Sequence, residues 1–135
     1  MFKDFKKSDI PNQEKLQEAI DETVDSIYYS LQARNGRSRE QIQTVVEQGI
    51  VAEQYLIQLE GFENATGIYN DVKKDGTYYE VKAFRPHRLT YKTLLDLANK
   101  LKSWRKKPRM KYMSSQLLIF KFDHGIYSYH TQIDL

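Results

Sequence analysis

The chain has 135 residues, no cysteine, a formal net charge of +3 and a pI near 9.0. That length suits one domain with a real core, and the absent cysteines exclude disulfides and thiolate metal sites. No apolar run is long enough to cross a membrane and no signal peptide is visible, so a cytoplasmic, intracellular location is the default expectation.

In chain order, residues Asn12 to Arg34 predict an amphipathic helix with Leu16, Ala19, Ile20, Val24, Ile27 and Leu31 on one side, ended by Asn35-Gly36. Residues 1–36 thus read as an N-terminal helical extension of a core over 38–133. Ser38-Arg39-Glu40-Gln41 fits a capping box. The helix it opens carries Ile42, Val45, Val46, Ile50, Ala52, Tyr55, Leu56 and Leu59 near helical spacing and stops at Gly61. Inside it Gly49 costs about 1 kcal/mol against alanine, so close approach of another backbone or of a phosphate is a reason to expect it there. Glu53 sits among apolar neighbours, which could draw it toward the core side; taken alone, the commoner reading is a solvated helix glutamate.

Asp75-Gly76 is a strong hairpin signal, since a type I′ turn needs positive φ at both central residues. With those two as the loop, Lys74 faces Thr77 and Asp71 faces Glu80. Glu80 and Lys82 then share one face, while Val81 and Ala83 point the other way into a core. Opposed strand residues have Cβ atoms about 5 Å apart, so two carboxylates there repel unless a cation or a shared proton compensates. A basic loop of Arg85, His87 and Arg88 follows. A crossover helix is predicted from about Thr90 to Lys107, stopped by Pro108. Then come a strand Gln116 to Asp123, a turn at His124-Gly125 and a strand Ile126 to Ile133.

Charge is distributed unevenly. Lys100, Lys102, Arg105, Lys106, Lys107, Arg109 and Lys111 fall together with no acid among them, interleaved with Trp104 and Tyr112. With Arg85 and Arg88 they are candidates for nucleic-acid binding; the other reading is a solvated helix end, where cations are favoured. Trp104 continues the stripe Leu94, Leu97, Leu101 and is expected in the core. The histidines have no metal-ligand spacing, and the ten tyrosines are expected to line sheet and core.

Taken together, Gly49-x-x-x-Glu53, Asn70-Asp71 and Tyr79-Glu80-Val81-Lys82 resemble the PD-(D/E)XK nuclease superfamily. The likeness extends from Ser38 to about Phe122 and is similar to small type II restriction enzymes and to archaeal Holliday-junction resolvases. Asn70 departs from the proline common before the aspartate, and the stretch from Gly61 to Gly67 is short for the family's first core strand. The resemblance implies an α/β, restriction-endonuclease-like core (helix, β-hairpin, helix, strands; a central mixed sheet flanked by helices). It implies a Mg²⁺-dependent DNA endonuclease, with Mn²⁺ as a substitute, in which Glu53, Asp71, Glu80 and Lys82 are catalytic. Asp71, Glu80 and the Val81 carbonyl would hold the metal, with Glu53 binding a second ion directly or through water. Lys82 would orient the attacking water or contact the scissile phosphate. A homodimer is expected, because two symmetric sites cut both strands most simply; no membrane and no small-molecule cofactor is expected. A structure-selective junction resolvase, a nuclease on RNA or single strands, and a non-catalytic nucleic-acid-binding protein stay open as alternatives.

Overall fold

A computed structural model describes residues 2–65, 71–106 and 114–135. Its elements are α1 (Gln13–Tyr28), α2 (Leu31–Arg34), α3 (Arg39–Leu59), β1 (Glu63–Asn64), β2 (Val72–Lys74), β3 (Thr77–Phe84), α4 (Tyr91–Arg105), β4 (Gln116–Asp123) and β5 (Ile126–Asp134). The strands form one mixed sheet in the order β1-β2-β3-β4-β5. All neighbours are antiparallel except β3 and β4, which run parallel across the α4 crossover. The chain is therefore α/β with an N-terminal helix, as expected.

Strand alternation divides the core in two. Val81, Leu118 and Phe120 face α1 and α3, joining Leu16, Ile20, Val24, Ile42, Val51 and Leu56 in the larger cluster. Leu117 and Ile119 face the other way onto Leu101 of α4, with Phe84, Leu94, Leu97 and Trp104 packed around them. Trp104 thus belongs to the second cluster as expected, with the Lys100 ammonium 4.7 Å from its ring.

The local signals act as their chemistry dictates. Ser38 caps α3 in a reciprocal box: its hydroxyl accepts from the Gln41 N–H, and the Gln41 side chain accepts from the Ser38 N–H at 2.8 Å. Gly61, at φ +76°, lets the chain reverse so that the Phe62 N–H reaches the Leu56 carbonyl at 3.1 Å. Asp75 and Gly76 both have positive φ, and the hairpin pairs Lys74 with Thr77, Lys73 with Tyr78 and Val72 with Tyr79. β4 occupies its expected range, and His124-Gly125 makes a second positive-φ turn into β5.

Three expectations need correction. The helix expected over Asn12 to Arg34 is two: α1 ends at Tyr28, and Ser30 starts α2 as its N-cap, accepting from the Ala33 N–H at 3.2 Å. Serine's hydroxyl competes for backbone donors, which favours a new start over continuation. Beyond the break Leu31 is 86% exposed instead of buried. On α3, Val45 and Leu59 also face outward, because α1 and the sheet cover only the arc through Ile42, Val51, Ala52, Tyr55 and Leu56. The crossover helix expected to run to about Lys107 ends at Arg105 with Lys106 as its C-cap; Lys107, Pro108, Arg109, Lys111 and Tyr112 lie outside the described residues.

The N-terminal segment does more than the sequence suggests. Phe5 pairs its backbone with Tyr127 of β5 in an isolated antiparallel bridge. Its ring stacks between Tyr55 of α3, at 3.8 Å, and Tyr127, at 5.0 Å. The segment ties α3 to the far edge of the sheet, and so fixes the helix that carries Glu53. Among the described residues no helix is long and apolar enough to cross a membrane.

Phe5→Ala is expected to cost about 3–5 kcal/mol of unfolding free energy, since it empties a buried aromatic stack. Leu31→Ala, on an exposed side chain, should stay within about 0.5 kcal/mol. Urea unfolding of the two variants measures both; equal costs would contradict this packing.

Candidate active site

The hairpin does not continue as a regular ladder past Val72. Instead the Asp71 N–H donates to the Tyr79 carbonyl at 3.0 Å. The Asp71 carboxylate takes over as acceptor, receiving the Val81 N–H on Oδ2 at 2.7 Å. A side chain thus does what the next backbone carbonyl of β2 would have done. Beyond Tyr79, no strand among the described residues pairs with β3 on this side, although β4 continues to pair with it on the other.

That edge, with α3 beside it, forms a cleft of about 680 Å³. Strand geometry sends a residue's N–H and C=O to the same side, so the Val81 carbonyl also faces the edge where Asp71 sits. Glu80, Val81 and Lys82 of β3, Asp71 before β2 and Glu53 of α3 all line the cleft. The four side chains singled out in the sequence, separated by up to 29 residues, therefore meet.

Their electrostatics is strained. The Glu80 side chain is 7% exposed, and the Lys82 ammonium lies 3.2 Å from its Oε1. Among the described residues its buried Oε2 has no hydrogen-bond partner. Asp71 and Glu80 stand close enough to share a proton, but two ionised carboxylates are both acceptors and that contact satisfies neither. Loss of water and then the Glu80 charge push Asp71 up to about 7, against the opposing pull of the Val81 N–H and of Lys82. Glu53 keeps some surface in the cleft, yet protein crowds it closely enough that desolvation, ahead of the Asp71 and Glu80 charges, holds its carboxyl well above the usual range.

This donor set fits a hard divalent cation. An unpartnered buried carboxylate oxygen, two further carboxylates resisting ionisation and an edge-facing carbonyl together lack positive charge and offer oxygen. Among the described residues no three His, Asp or Glu side chains stand together as a ready-made metal-binding group. Mg²⁺ does not require one, since it binds through one or two carboxylates and keeps several waters.

Other expected residues divide. Arg85 and Arg88 line the cleft, joined by His87, which had been read as loop only. Lys100, Lys102, Arg105 and Lys106 do not line it. They lie in the C-terminal part of α4 and at its C-cap, where the Arg105 guanidinium donates to the Leu135 carbonyl. Lys107 and Arg109 lie outside the described residues. Gly49 lines the cleft too, and among the described residues no protein atom lies within 4 Å of where its Cβ would be, so no described backbone is the reason for glycine. Thr44 and Gln48 of the α3 wall were not foreseen; polar helix residues on the turns before Glu53 carry no local signal that they face a cleft. Compared with family models, curated proteins and solved structures, the chain has no match.

Without divalent cations, the fold should lose stability as pH rises. Asp71 titrates at its ordinary 3.8 when unfolded and at about 7 when folded. Between those values the folded state holds the extra proton, so its stabilising effect is complete below about 4 and lost as pH rises through about 7. Melting in EDTA should therefore show a lower Tm at pH 8 than at pH 5, and Asp71→Asn should shrink the drop. A flat wild-type profile, or an unchanged drop in the variant, would contradict the assignment.

Proposed function

We propose that the protein is a Mg²⁺-dependent endonuclease of the restriction-endonuclease-like PD-(D/E)XK superfamily, hydrolysing phosphodiester bonds in DNA. The observation that supports this most is the meeting of Glu53, Asp71, Glu80 and Lys82 in one cleft, with a buried Glu80 oxygen lacking any donor. A protein that only bound nucleic acid would have no use for such a cluster, because carboxylates repel phosphates.

Asp71, Glu80 and the Val81 carbonyl would hold the cation. When bound, it supplies neutralisation of charge on the phosphate and acidification of water. The remaining chemistry belongs to the chain. A water oxygen bonds to phosphorus as the bond from phosphorus to the leaving sugar oxygen breaks. Glu53, whose carboxyl is held well above the usual range, is a stronger base for that reason once it is ionised beside a cation. It then takes the proton from that water, and the leaving oxygen is protonated from solvent. Lys82, anchored by Glu80, presents a point charge to the phosphate oxygens. Arg85 and Arg88 hold the neighbouring phosphates at the cleft mouth. Two copies acting together would account for cutting both strands of a duplex.

Purified protein should nick or linearise supercoiled plasmid with Mg²⁺ and not with EDTA. Asp71→Ala and Lys82→Ala should each lower the rate on the order of 10²–10³-fold, as losing a charge-stabilising group at a reacting phosphate does. A wild type inert toward plasmid, four-way junctions, single strands and RNA, with Mg²⁺ or Mn²⁺, would overturn the proposal.

A further inference from the structure

The two walls of the cleft differ in chemistry. The wall formed by β3 and the turn after it is cationic, with Lys82, Arg85 and Arg88. The facing wall, along α3, has no cation among the described residues and is mixed: Val45, Val46, Gly49 and Ile50 give it apolar surface beside the polar Thr44, Gln48 and Glu53. Val45 is 63% exposed there, a β-branched apolar side chain left in water on a helix whose other apolar residues mostly find cover. Gly49 sits in the middle of this wall, in the interior of α3, where glycine is the poorest residue after proline. Nothing in the protein forbids a side chain at that position, since the space beside it is open. The open space is cleft, so the glycine widens the cleft at the expense of its helix.

A polymer that suits both walls must present anions on one side and apolar faces on the other. A duplex does so only in part: its phosphates can meet the cationic wall, but its base faces are stacked inside. A single strand does: its phosphates follow a cationic groove while its bases are free to lie against apolar side chains. We propose that the cleft takes single-stranded nucleic acid, phosphates on the Lys82–Arg88 wall and sugars and bases against α3, with Gly49 as the point of closest approach. This rests on the nuclease reading for what happens to the strand, and on the cleft alone for its binding. A substrate of this class is a free single strand, an overhang, or a strand displaced from a duplex.

Fluorescence anisotropy tests it, using labelled 12-mers of single-stranded DNA, single-stranded RNA and matched duplex DNA, in EDTA and in Ca²⁺. Single strands should bind several-fold more tightly than duplex, since only they can lay base faces against the aliphatic side chains of α3. Arg88→Ala should weaken binding and lower the salt slope by about one phosphate contact. Gly49→Ala is the sharpest variant: it should raise Tm by about 3 °C yet loosen single-strand binding several-fold, which a misfolded protein would not do. Val45→Asp, on an exposed side chain, should loosen it as well. The comparison of DNA with RNA identifies the sugar. Duplex bound as tightly as single strands, no binding of either, or Gly49→Ala and Val45→Asp binding like wild type would each overturn the proposal. A wild type that selects single strands but cuts nothing would sink the nuclease reading and leave this one standing; one that cuts and binds duplex without preference would do the reverse.

Discussion

Three carboxylates and one ammonium share the edge of β3 just where β2 leaves it. Lys82 stands against Glu80, while Asp71 and Glu53 are held toward their neutral forms by lost water and by neighbouring negative charge. A fold does not gain stability from such a cluster; burying a charge without a partner is among the costlier things a protein can do. The rest of the structure supplies the stability that lets the cluster persist, and the cluster in turn has a strong electrostatic demand for a cation or a proton.

The architecture meets this demand with few parts. The hairpin fixes the register, and the Asp71 carboxylate substitutes for a backbone acceptor, so its position is set by a 2.7 Å bond to the Val81 N–H rather than by a free rotamer. Glu53 is placed by α3, which is clamped between α1 and the sheet and held at its C-terminal end by the aromatic stack of Phe5 on Tyr55. β4 carries Leu117, Leu118, Ile119 and Phe120, all fully buried, and the strand bearing Glu80 and Lys82 pairs with it in parallel from Tyr79 to Phe84. Function and core thus share a strand, alternating residue by residue: Glu80 and Lys82 to the cleft, Val81 to the core.

Much of this was legible in the sequence where the cause is local. Asp75-Gly76 set the hairpin register, Ser38 and Gln41 the start of α3, and the apolar run from Leu117 to Phe120 the strand β4. The spacing of Glu80 and Lys82 followed from the pleat alone, and their meeting with Asp71 from the turn. Glu53 was anticipated only through resemblance and its apolar neighbours, since nothing local says which turn of a helix will face a strand edge. The docking of Phe5 between Tyr55 and Tyr127 was not legible, because it joins residues 50 and 122 positions apart. Nor was the outward turn of Val45: helical period identifies an apolar stripe but not how much of it the neighbouring elements cover. The basic run after Lys100 was the loudest charge signal in the chain, yet its described part lies along α4 away from the cleft, while the quieter Arg85 and Arg88 line it.

The central claim is that the cluster is one cation short and holds protons in its place. The most direct measurement is isothermal titration calorimetry of Mn²⁺ into metal-free protein at pH 7, repeated in buffers of different ionisation enthalpy to count the protons released. Asp71, poised at about 7, and Glu53, held above the usual carboxylate range, should give up protons as the cation binds, and the count should fall at pH 9, where Asp71 is already ionised. Binding without proton release at pH 7, or no binding that Asp71→Asn abolishes, would contradict it.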